Sequence, residues 1–244
     1  MTVRWLWIFL DALEPAQEQW EFWRAVSRSR FSPTRGDRDQ FATLLPKGGA
    51  AWLKLQQVRS GGGLHLDLDV DDVAGAAEFA ATLGAEVVHR YLEGTVVVMR
   101  SPGGFIFCLT TWRGDAGQIR AGEPDLVDQV TLDVPPGSYD GEVAFWSRLL
   151  GVAPAVGSLP EFTALPRPAQ LPVRLMLQRL DVGDGTVTGH LDLACADRAA
   201  TLARHTDLGA TVVAEGGRWT VLADPAGQRY CLTDRAPSTG VLPA

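Results

Sequence analysis

Alternating apolar and polar positions along the chain predict short strands joined by amphipathic helices. Residues 5–10 form an apolar run that reads as a strand, and tryptophans at helical spacing follow within residues 15–26. Residues 41–45 and 51–58 predict two more strands, with another near Arg30. One helix among these strands makes a βαβββ module.

The next stretch repeats this order. Asp72 is a suitable N-cap for a helix over residues 73–83, because its carboxylate can accept a bond from a free N–H group of the first turn. Glycine-containing turns separate the strands around it. These strands are predicted at residues 64–70, 86–90, 95–100 and 105–111.

Three segments of the first half return in the second half in the same order. Residues 63–68 (Gly-Leu-His-Leu-Asp-Leu) return at 189–193 as Gly-His-Leu-Asp-Leu. The Leu-Gly-Ala of the first half returns at 208–210, and the Pro-containing turn before Cys108 returns before Cys231. The chain is therefore a tandem duplication with four modules. We expect domains at 1–115 and 125–244, joined by a linker at 116–124.

Composition narrows the function classes. The chain has 22 basic and 29 acidic residues among 244, and its basic residues are scattered, which argues against a nucleic-acid partner. The longest apolar run has six residues, whereas a membrane-spanning helix needs about 20. Three cysteines without a C-x-x-C pair fit a reducing compartment. We expect a cytoplasmic protein.

The repeated sequence segments resemble those of the vicinal oxygen chelate superfamily, which includes glyoxalase I, bleomycin-resistance proteins and extradiol dioxygenases. The resemblance rests on the strands that open with His65 and His190, on the Leu-Gly-Ala after each second helix, and on the Asp224-Pro-Ala-Gly-Gln-Arg-Tyr-Cys-Leu segment. These segments are similar to those of the glyoxalase-like domain branch that is common in actinobacteria.

The resemblance implies an α+β fold in which four βαβββ modules pair into two curved mixed-sheet cups with helices outside. Each cup would hold a small molecule, often beside a divalent metal. It also implies a monomer with an internal pseudo-dimer, or a homodimer. Fold alone does not fix function.

Metal enzymes of this superfamily take ligands from four places, and we read these places from the repeats. The first half offers an indole, an amide, an imidazole and a thiol, and the second half replaces the indole with an amide. Neither set contains the carboxylate that a hard divalent ion prefers. These residues are Trp7, Gln56, His65 and Cys108 in the first half, and Gln129, Gln178, His190 and Cys231 in the second.

We therefore expect a metal-independent binding protein with no cofactor. The alternative is a lyase, isomerase or dioxygenase with a divalent metal in the second half, on Gln129, His190 and Cys231 or on a carboxylate that these four places do not reveal. The sequence does not decide whether the protein is an enzyme.

Strand alternation predicts which side chains face a ligand. Residues on the His65 face of the first half are mostly aromatic, which suits a planar or hydrophobic molecule. Those of the second half are more polar. The expected ligand-binding residues are Trp5, Trp7, Phe9, Gln56, His65 and Asp67 in the first half, and Gln129, Gln178, His190, Asp192 and Arg229 in the second.

The remaining candidates have simpler interpretations. Cys108 and Cys231 lie between apolar neighbours, where a thiol behaves as a small buried hydrophobe. His89 and His205 have no counterpart in the other half, and we expect both on the surface.

Overall fold

A computed structural model describes residues 1–114, 117, 123–157 and 159–242. Most of the predicted linker at 116–124 lies outside these residues, and the domain boundaries at 1–115 and 125–244 remain a prediction. Four βαβββ modules follow one another along the described chain, as the repeats predict.

The described residues of the first half contain eight strands and two α-helices. Its first module consists of β1 (Val3–Leu13), α1 (Gln17–Val26), β2 (Arg30–Phe31), β3 (Phe41–Leu45) and β4 (Leu53–Val58). Its second module consists of β5 (Gly63–Val70), α2 (Val73–Thr82), β6 (Glu86–Tyr91), a short 3-10 turn at Leu92–Gly94, β7 (Val96–Arg100) and β8 (Ile106–Thr111).

The second half repeats these elements. Its first module consists of β9 (Asp125–Val134), α3 (Tyr139–Leu150), β10 (Ala155–Val156), β11 (Phe162–Leu165) and β12 (Arg174–Arg179). Its second module consists of β13 (Thr188–Cys195), α4 (Arg198–Asp207), β14 (Thr211–Glu215), β15 (Trp219–Ala223) and β16 (Arg229–Thr233). The hydrophobic pattern did not predict the two-residue strand β10 or the 3-10 turn at Leu92–Gly94.

Local signals in the sequence set the start of each second helix. Asp72 accepts a hydrogen bond from the Gly75 N–H, and Asp197 accepts one from the Ala200 N–H, both at 3.0 Å. Each aspartate satisfies an N–H group that has no partner within the helix. The N-cap predicted at Asp72 is confirmed.

The strands form two mixed eight-stranded sheets. One has the order β2-β3-β4-β1-β5-β8-β7-β6, and the other has the order β10-β11-β12-β9-β13-β16-β15-β14. The two orders match element by element, so the duplication extends to the topology, and the predicted α+β class is confirmed. None of the described helices is long and apolar enough to span a bilayer.

Parallel pairing beside each repeated His-x-Asp segment positions a cysteine. In the β5–β8 pair, Asp67 lies opposite Cys108. In the β13–β16 pair, Asp192 lies opposite Cys231. Because side chains alternate along a strand, each histidine two residues before the aspartate lies on the same face.

Contacts divide the chain into two compact units, and each unit takes segments from both halves. The first unit comprises Met1–Ile8, Leu64–Asp115 and Thr131–Gly189; the second comprises Phe9–Gly63, Ala116–Val130 and His190–Ala244. In the core of the first unit, the Phe107 ring lies 5.2 Å from the Trp146 ring, centroid to centroid. In the second unit, the corresponding Tyr230 ring lies 5.1 Å from the ring of Trp23.

Candidate functional site

Three potential metal ligands meet on the first sheet, within the first unit. His65 and Asp67 lie on β5, and Cys108 lies on β8; their ligand atoms all lie within 4.8 Å of one another. Asp67 is 9% exposed, and its Oδ1 finds no hydrogen-bond partner among the residues that the structure describes. This oxygen lies 3.6 Å from Nε2 of His65, beyond hydrogen-bond range. We call His65, Asp67 and Cys108 the first His-Asp-Cys group.

The spacing in this group fits a shared cation. Two nitrogen or oxygen ligands about 2.0–2.1 Å from a tetrahedral zinc ion lie roughly 3.3 Å apart. The 3.6 Å between imidazole and carboxylate is close to that value. A donor set of one imidazole, one carboxylate and one thiol suits a borderline ion such as Zn²⁺, and a thiolate favours it over harder ions. Three protein ligands leave a coordination position for an exogenous molecule.

An aromatic wall adjoins the first His-Asp-Cys group. The indole N–H of Trp7 donates to Oδ2 of Asp69 at 3.0 Å, and the hydroxyl of Thr110 donates to Oδ1 of the same carboxylate at 2.5 Å. Trp5 packs edge-on against Trp7, with ring centroids 6.3 Å apart. Trp5 is buried, whereas Trp7 is partly exposed. Asp69 therefore fixes the orientation of the accessible indole.

A second group of the same composition lies in the second unit, and we call it the second His-Asp-Cys group. Its members are His190, Asp192 and Cys231, again with ligand atoms within 4.8 Å of one another. Nε2 of His190 lies 3.4 Å from Oδ1 of Asp192. Gln129, which is fully buried on β9, donates its side-chain amide to Oδ2 of Asp192. Burial, reinforced by the Asp192 charge, raises the pKa of the Cys231 thiol.

Comparison with known families gives two matches in this chain. The model of a family described as a glyoxalase-like domain matches residues 7–110 and again residues 129–233. The chain belongs to the glyoxalase-like domain family. The tandem duplication and the vicinal oxygen chelate resemblance are thereby confirmed. No curated protein matches the chain by sequence.

Solved structures similar to this glyoxalase-like protein share its fold at low identity. A 2,2',3-trihydroxybiphenyl 1,2-dioxygenase from Sphingomonas wittichii strain RW1 has a TM-score of 0.65 and 16% identity, over 99% of this chain and 93% of that one. A Mn(II)-bound glyoxalase from Novosphingobium aromaticivorans has a TM-score of 0.62 and 15% identity, over 95% and 81%.

The chain spans about half of another similar protein. A xylose isomerase-like TIM barrel/4-hydroxyphenylpyruvate dioxygenase fusion protein has a TM-score of 0.58 and 15% identity, over 95% of this chain and 48% of that one.

The prediction of a protein without a metal cofactor is wrong. Two findings overturn it: each half contains a His-Asp-Cys group with metal-ligand spacing, and a structure of the same fold is a Mn(II)-bound glyoxalase. Sequence reasoning sought a metal-binding carboxylate only at the four places that the superfamily uses, and it assigned Asp67 and Asp192 to the bound small molecule instead. The signal was present in the sequence, since His-x-Asp on a strand puts both side chains on one face.

Other expected ligand-binding residues lie at several places in the two units. In the second unit, the Phe9 ring lies 6.3 Å from that of Phe41 and under the ammonium of Lys54, and Gln56 pairs with Phe41 across β3 and β4. In the first unit, Gln178 pairs with Phe162. Arg229 is exposed at the start of β16. Their role as ligand contacts remains a prediction.

His205 contradicts the expectation that it lies on the surface. Its side chain is fully buried, and Nδ1 lies 3.0 Å from the hydroxyl of Tyr230. Burial and the neighbouring Arg204 guanidinium lower the pKa of His205 to about 4. His89 is exposed, as expected, and all three cysteines are buried.

Proposed function

We propose that this protein binds a small planar molecule beside a divalent metal ion held by His65, Asp67 and Cys108. The observation that supports this most is the buried Oδ1 of Asp67, which has no hydrogen-bond partner among the described residues and lies 3.6 Å from an imidazole nitrogen. Each buried polar atom without a partner calls for a physical reason, and a cation between these two ligands supplies one.

The first His-Asp-Cys group also has the charge to hold a cation. Asp67 contributes one negative charge, and Cys108 contributes another if a bound ion displaces its proton. The two remaining features of the site act on a ligand rather than on the ion. Trp7 offers a partly exposed indole face, and Asp69 keeps that indole in a fixed orientation. Indole faces stack well on planar rings.

We infer a ligand class from these two features. A ring bearing two adjacent oxygen atoms would place its oxygens at the metal and its face against Trp7. When bound, the ion would supply positive charge to such oxygens. The trihydroxybiphenyl in the name of the S. wittichii enzyme belongs to this chemical class. Trp5 packs edge-on against Trp7, which limits the motion of the Trp7 indole.

Cobalt(II) titration tests the metal part of this proposal. Thiolate coordination gives Co²⁺ an intense near-ultraviolet charge-transfer absorbance, and we expect Cys108→Ser to lose the share that belongs to the first His-Asp-Cys group. The matched variant Cys231→Ser should keep that share. Asp67→Asn, which preserves shape, should weaken Co²⁺ binding at this group at least tenfold. An unchanged Co²⁺ spectrum in Cys108→Ser would contradict the proposal.

Calorimetric titration with catechol tests the ligand part. We expect the metal-loaded protein to bind catechol, the chelated protein to bind it at least tenfold more weakly, and Trp7→Phe to weaken binding about threefold to tenfold while retaining Co²⁺. Equal catechol affinity with and without metal would contradict the proposed role of the ion.

A second candidate function is a metal-dependent enzyme, a lyase, isomerase or dioxygenase, centred on His190, Asp192 and Cys231. The hydrogen bond from Gln129 to Asp192 favours it, because partners that orient a ligating carboxylate are typical of metal centres. In this case His190→Ala should abolish turnover and leave the first group's Co²⁺ spectrum unchanged. Loss of turnover in Cys108→Ser instead would place the reaction in the first half.

A further inference from the structure

Two cationic side chains lie on one face of strands β3 and β4 in the second unit. Lys54 pairs directly with Thr43 across these strands, and Gln56 pairs directly with Phe41. Arg35 lies just before β3 and forms an antiparallel bridge with Phe41, with backbone hydrogen bonds of 2.9 and 3.1 Å. Directly paired residues share a face of a sheet, and alternate residues return to it. All five side chains therefore lie on the same face.

Neutral groups hold the Arg35 guanidinium in place. Nη1 donates to the Ser32 hydroxyl at 2.8 Å, and Nη2 donates to the Thr43 hydroxyl at 2.9 Å. Within the described part of the chain, Arg35 forms no ion pair and its Nε–H makes no hydrogen bond. This exposed guanidinium is thus oriented before a ligand arrives, and it keeps its charge and one donor for that ligand.

The ammonium of Lys54 lies over an aromatic ring. It is 5.0 Å from the centre of the Phe9 ring, and the Phe41 ring meets the Phe9 ring edge-on with centroids 6.3 Å apart. Lys54 and Phe41 are both partly exposed, whereas Phe9 is buried. The face therefore presents two cations beside an accessible aromatic ring, which suits a molecule that has both an acidic group and an aromatic ring.

The segment around this face is basic, although the chain as a whole has a net charge of −7. Residues 30–59 contain six basic side chains and two acidic ones, Asp37 and Asp39, so the local field favours anions. Asp39 accepts a hydrogen bond from the Thr34 hydroxyl at 2.8 Å, and Asp37 is exposed in the same turn.

Two carboxylates on or after β1 lie away from Thr43. Glu14 pairs with an arginine of the same basic segment at 2.8 Å. Because the Phe9 ring lies by Lys54 and strands β1 and β4 end beside each other, Asp11 lies one residue pair further along the sheet. The end of the face that holds Thr43 is therefore the end that favours an anion.

The second sheet has an apolar pair in the place of Thr43 and Lys54. A Phe–Gln pair joins the same two strands in both sheets, and two residues along, the second sheet pairs Ala164 with Met176. Pairing of these strands thus does not require a lysine. Lys54 serves a need of the first sheet alone.

We propose that Arg35 and Lys54 bind the carboxylate of an aromatic acid whose ring packs against Phe41. The Nε–H of Arg35 donates to one carboxylate oxygen, and the ammonium of Lys54 donates to the other. Hydrogen bonds between charged partners are stronger than those between neutral ones, so the neutral amide of the same acid binds more weakly. This site requires no metal ion.

A ligand-observed ¹⁹F NMR titration with 4-fluorophenylacetate tests the proposal. The full-length protein is used metal-free, so the outcome does not depend on the proposed metal site. We expect a saturable shift with millimolar affinity, since the probe is small, and at least tenfold weaker binding of the neutral 4-fluorophenylacetamide. No saturable shift, or equal affinity for the acid and its amide, would overturn the proposal.

Variants locate the binding. Lys54→Met introduces the residue type that the second sheet has at position 176, and it should weaken binding of the acid at least fivefold. Arg35→Gln should have a similar effect, and Lys54→Arg, which keeps the charge, should retain most of the affinity. The matched control Lys47→Met removes an exposed cation of the same segment and should leave the affinity unchanged. Wild-type affinity in Lys54→Met, or an equal loss in Lys47→Met, would contradict a specific site.

Discussion

Each compact unit holds a buried tryptophan at an equivalent position, and each of these indoles donates a hydrogen bond to a carboxylate. The carboxylate lies on the helix in the first unit and in a turn between strands in the second. In the first unit, Glu142 on α3 accepts a hydrogen bond from the Trp146 indole at 2.7 Å, one helical turn away. In the second unit, Trp23 on α1 instead donates at 2.9 Å to Asp224, which lies in the turn between β15 and β16. Each unit therefore buries one carboxylate against its tryptophan.

The repeat alignment shows that the acidic residue occupies a different aligned position in each unit. Glu142 aligns with Gln19, and Asp224 aligns with Ser101, each at an offset of 123 residues. Gln19 donates to Asp224 at 2.6 Å, whereas Glu142 accepts from the Gly103 N–H at 2.6 Å. The helix carries the acidic residue and the turn a neutral one in the first unit, and the reverse holds in the second. The hydrogen bond to the indole is present in both. A buried polar set tolerates change when its members change together.

The second difference is that one unit has polar groups where the other is apolar. Tyr230 aligns with Phe107, and His205 aligns with Ala80. All four residues are fully buried. In the second unit the tyrosine hydroxyl and the histidine satisfy each other, and the first unit has neither group. The two polar groups therefore occur together in this core, each as the other's hydrogen-bond partner.

The largest expected effect comes from Asp125, whose counterpart in the first unit is Val3. We expect Asp125→Ala to lower the free energy of unfolding by about 3 kcal/mol, because it leaves the Arg28 and Arg204 guanidinium groups without their shared carboxylate. Urea denaturation measures this. The matched control is Asp71→Ala, which breaks an exposed ion pair with Arg4 and should leave the urea midpoint nearly unchanged, because solvent screens exposed pairs. Equal costs for the two variants would contradict this assignment.

The next effect is a pH dependence specific to the second unit. The folded-state pKa of His205 is about 4, below its ordinary value of 6.5, so the unfolded chain binds more protons between these values. Stability contributed by neutral His205 is present above pH 6.5 and is lost as the pH falls towards 4, by up to roughly 3 kcal/mol. In His205→Gln this slope in urea midpoint against pH should flatten. A slope that stays the same in the variant would assign the proton uptake elsewhere.

Exchanging the carboxylate in the first unit tests the comparison directly. Glu142→Gln should cost about 2 kcal/mol, because a neutral amide replaces a charged acceptor of two hydrogen bonds. The double variant Ser101→Asp/Glu142→Gln recreates the arrangement of the second unit and should recover at least half of that loss. No recovery in the double variant would show that the two arrangements are not interchangeable.

Glu142 also gives the first unit a pH dependence opposite to that of His205. Burial raises the pKa of Glu142 above its usual value, so the folded chain binds more protons than the unfolded chain just above pH 4.5. Stability then decreases as the pH rises through that window. The stability of the wild type relative to Glu142→Gln should therefore decline as the pH rises through that window, because the His205 contribution is common to both proteins and cancels in the difference. A difference between the two proteins that does not change with pH would rule out Glu142 as the source of such a decline.

The fold could be predicted from the sequence because the repeated segments mark equivalent strands and helices in the two halves. The sequence could also place His65 and Asp67 on one face, since alternation is local. Strand alternation alone could not place Cys108 beside Asp67, because that contact depends on the parallel register of β5 and β8; only the family resemblance grouped Cys108 with His65. His205 on α4 was misassigned for a similar reason, since its partner Tyr230 lies on β16, which local pattern does not bring to the helix.

The smallest effect concerns the hydroxyl by which the second core differs from the first. Tyr230→Phe restores the residue type found at Phe107 and removes the group that lies 3.0 Å from Nδ1 of His205. His205 retains the Arg204 contact at Nε2, so we expect a loss of about 1 kcal/mol rather than the larger cost of an isolated buried group. Tyr91→Phe removes a hydroxyl from an exposed side chain and should leave the urea midpoint unchanged. If Tyr230→Phe were equally silent, the hydroxyl would contribute nothing, and the second core would owe its difference to His205 alone.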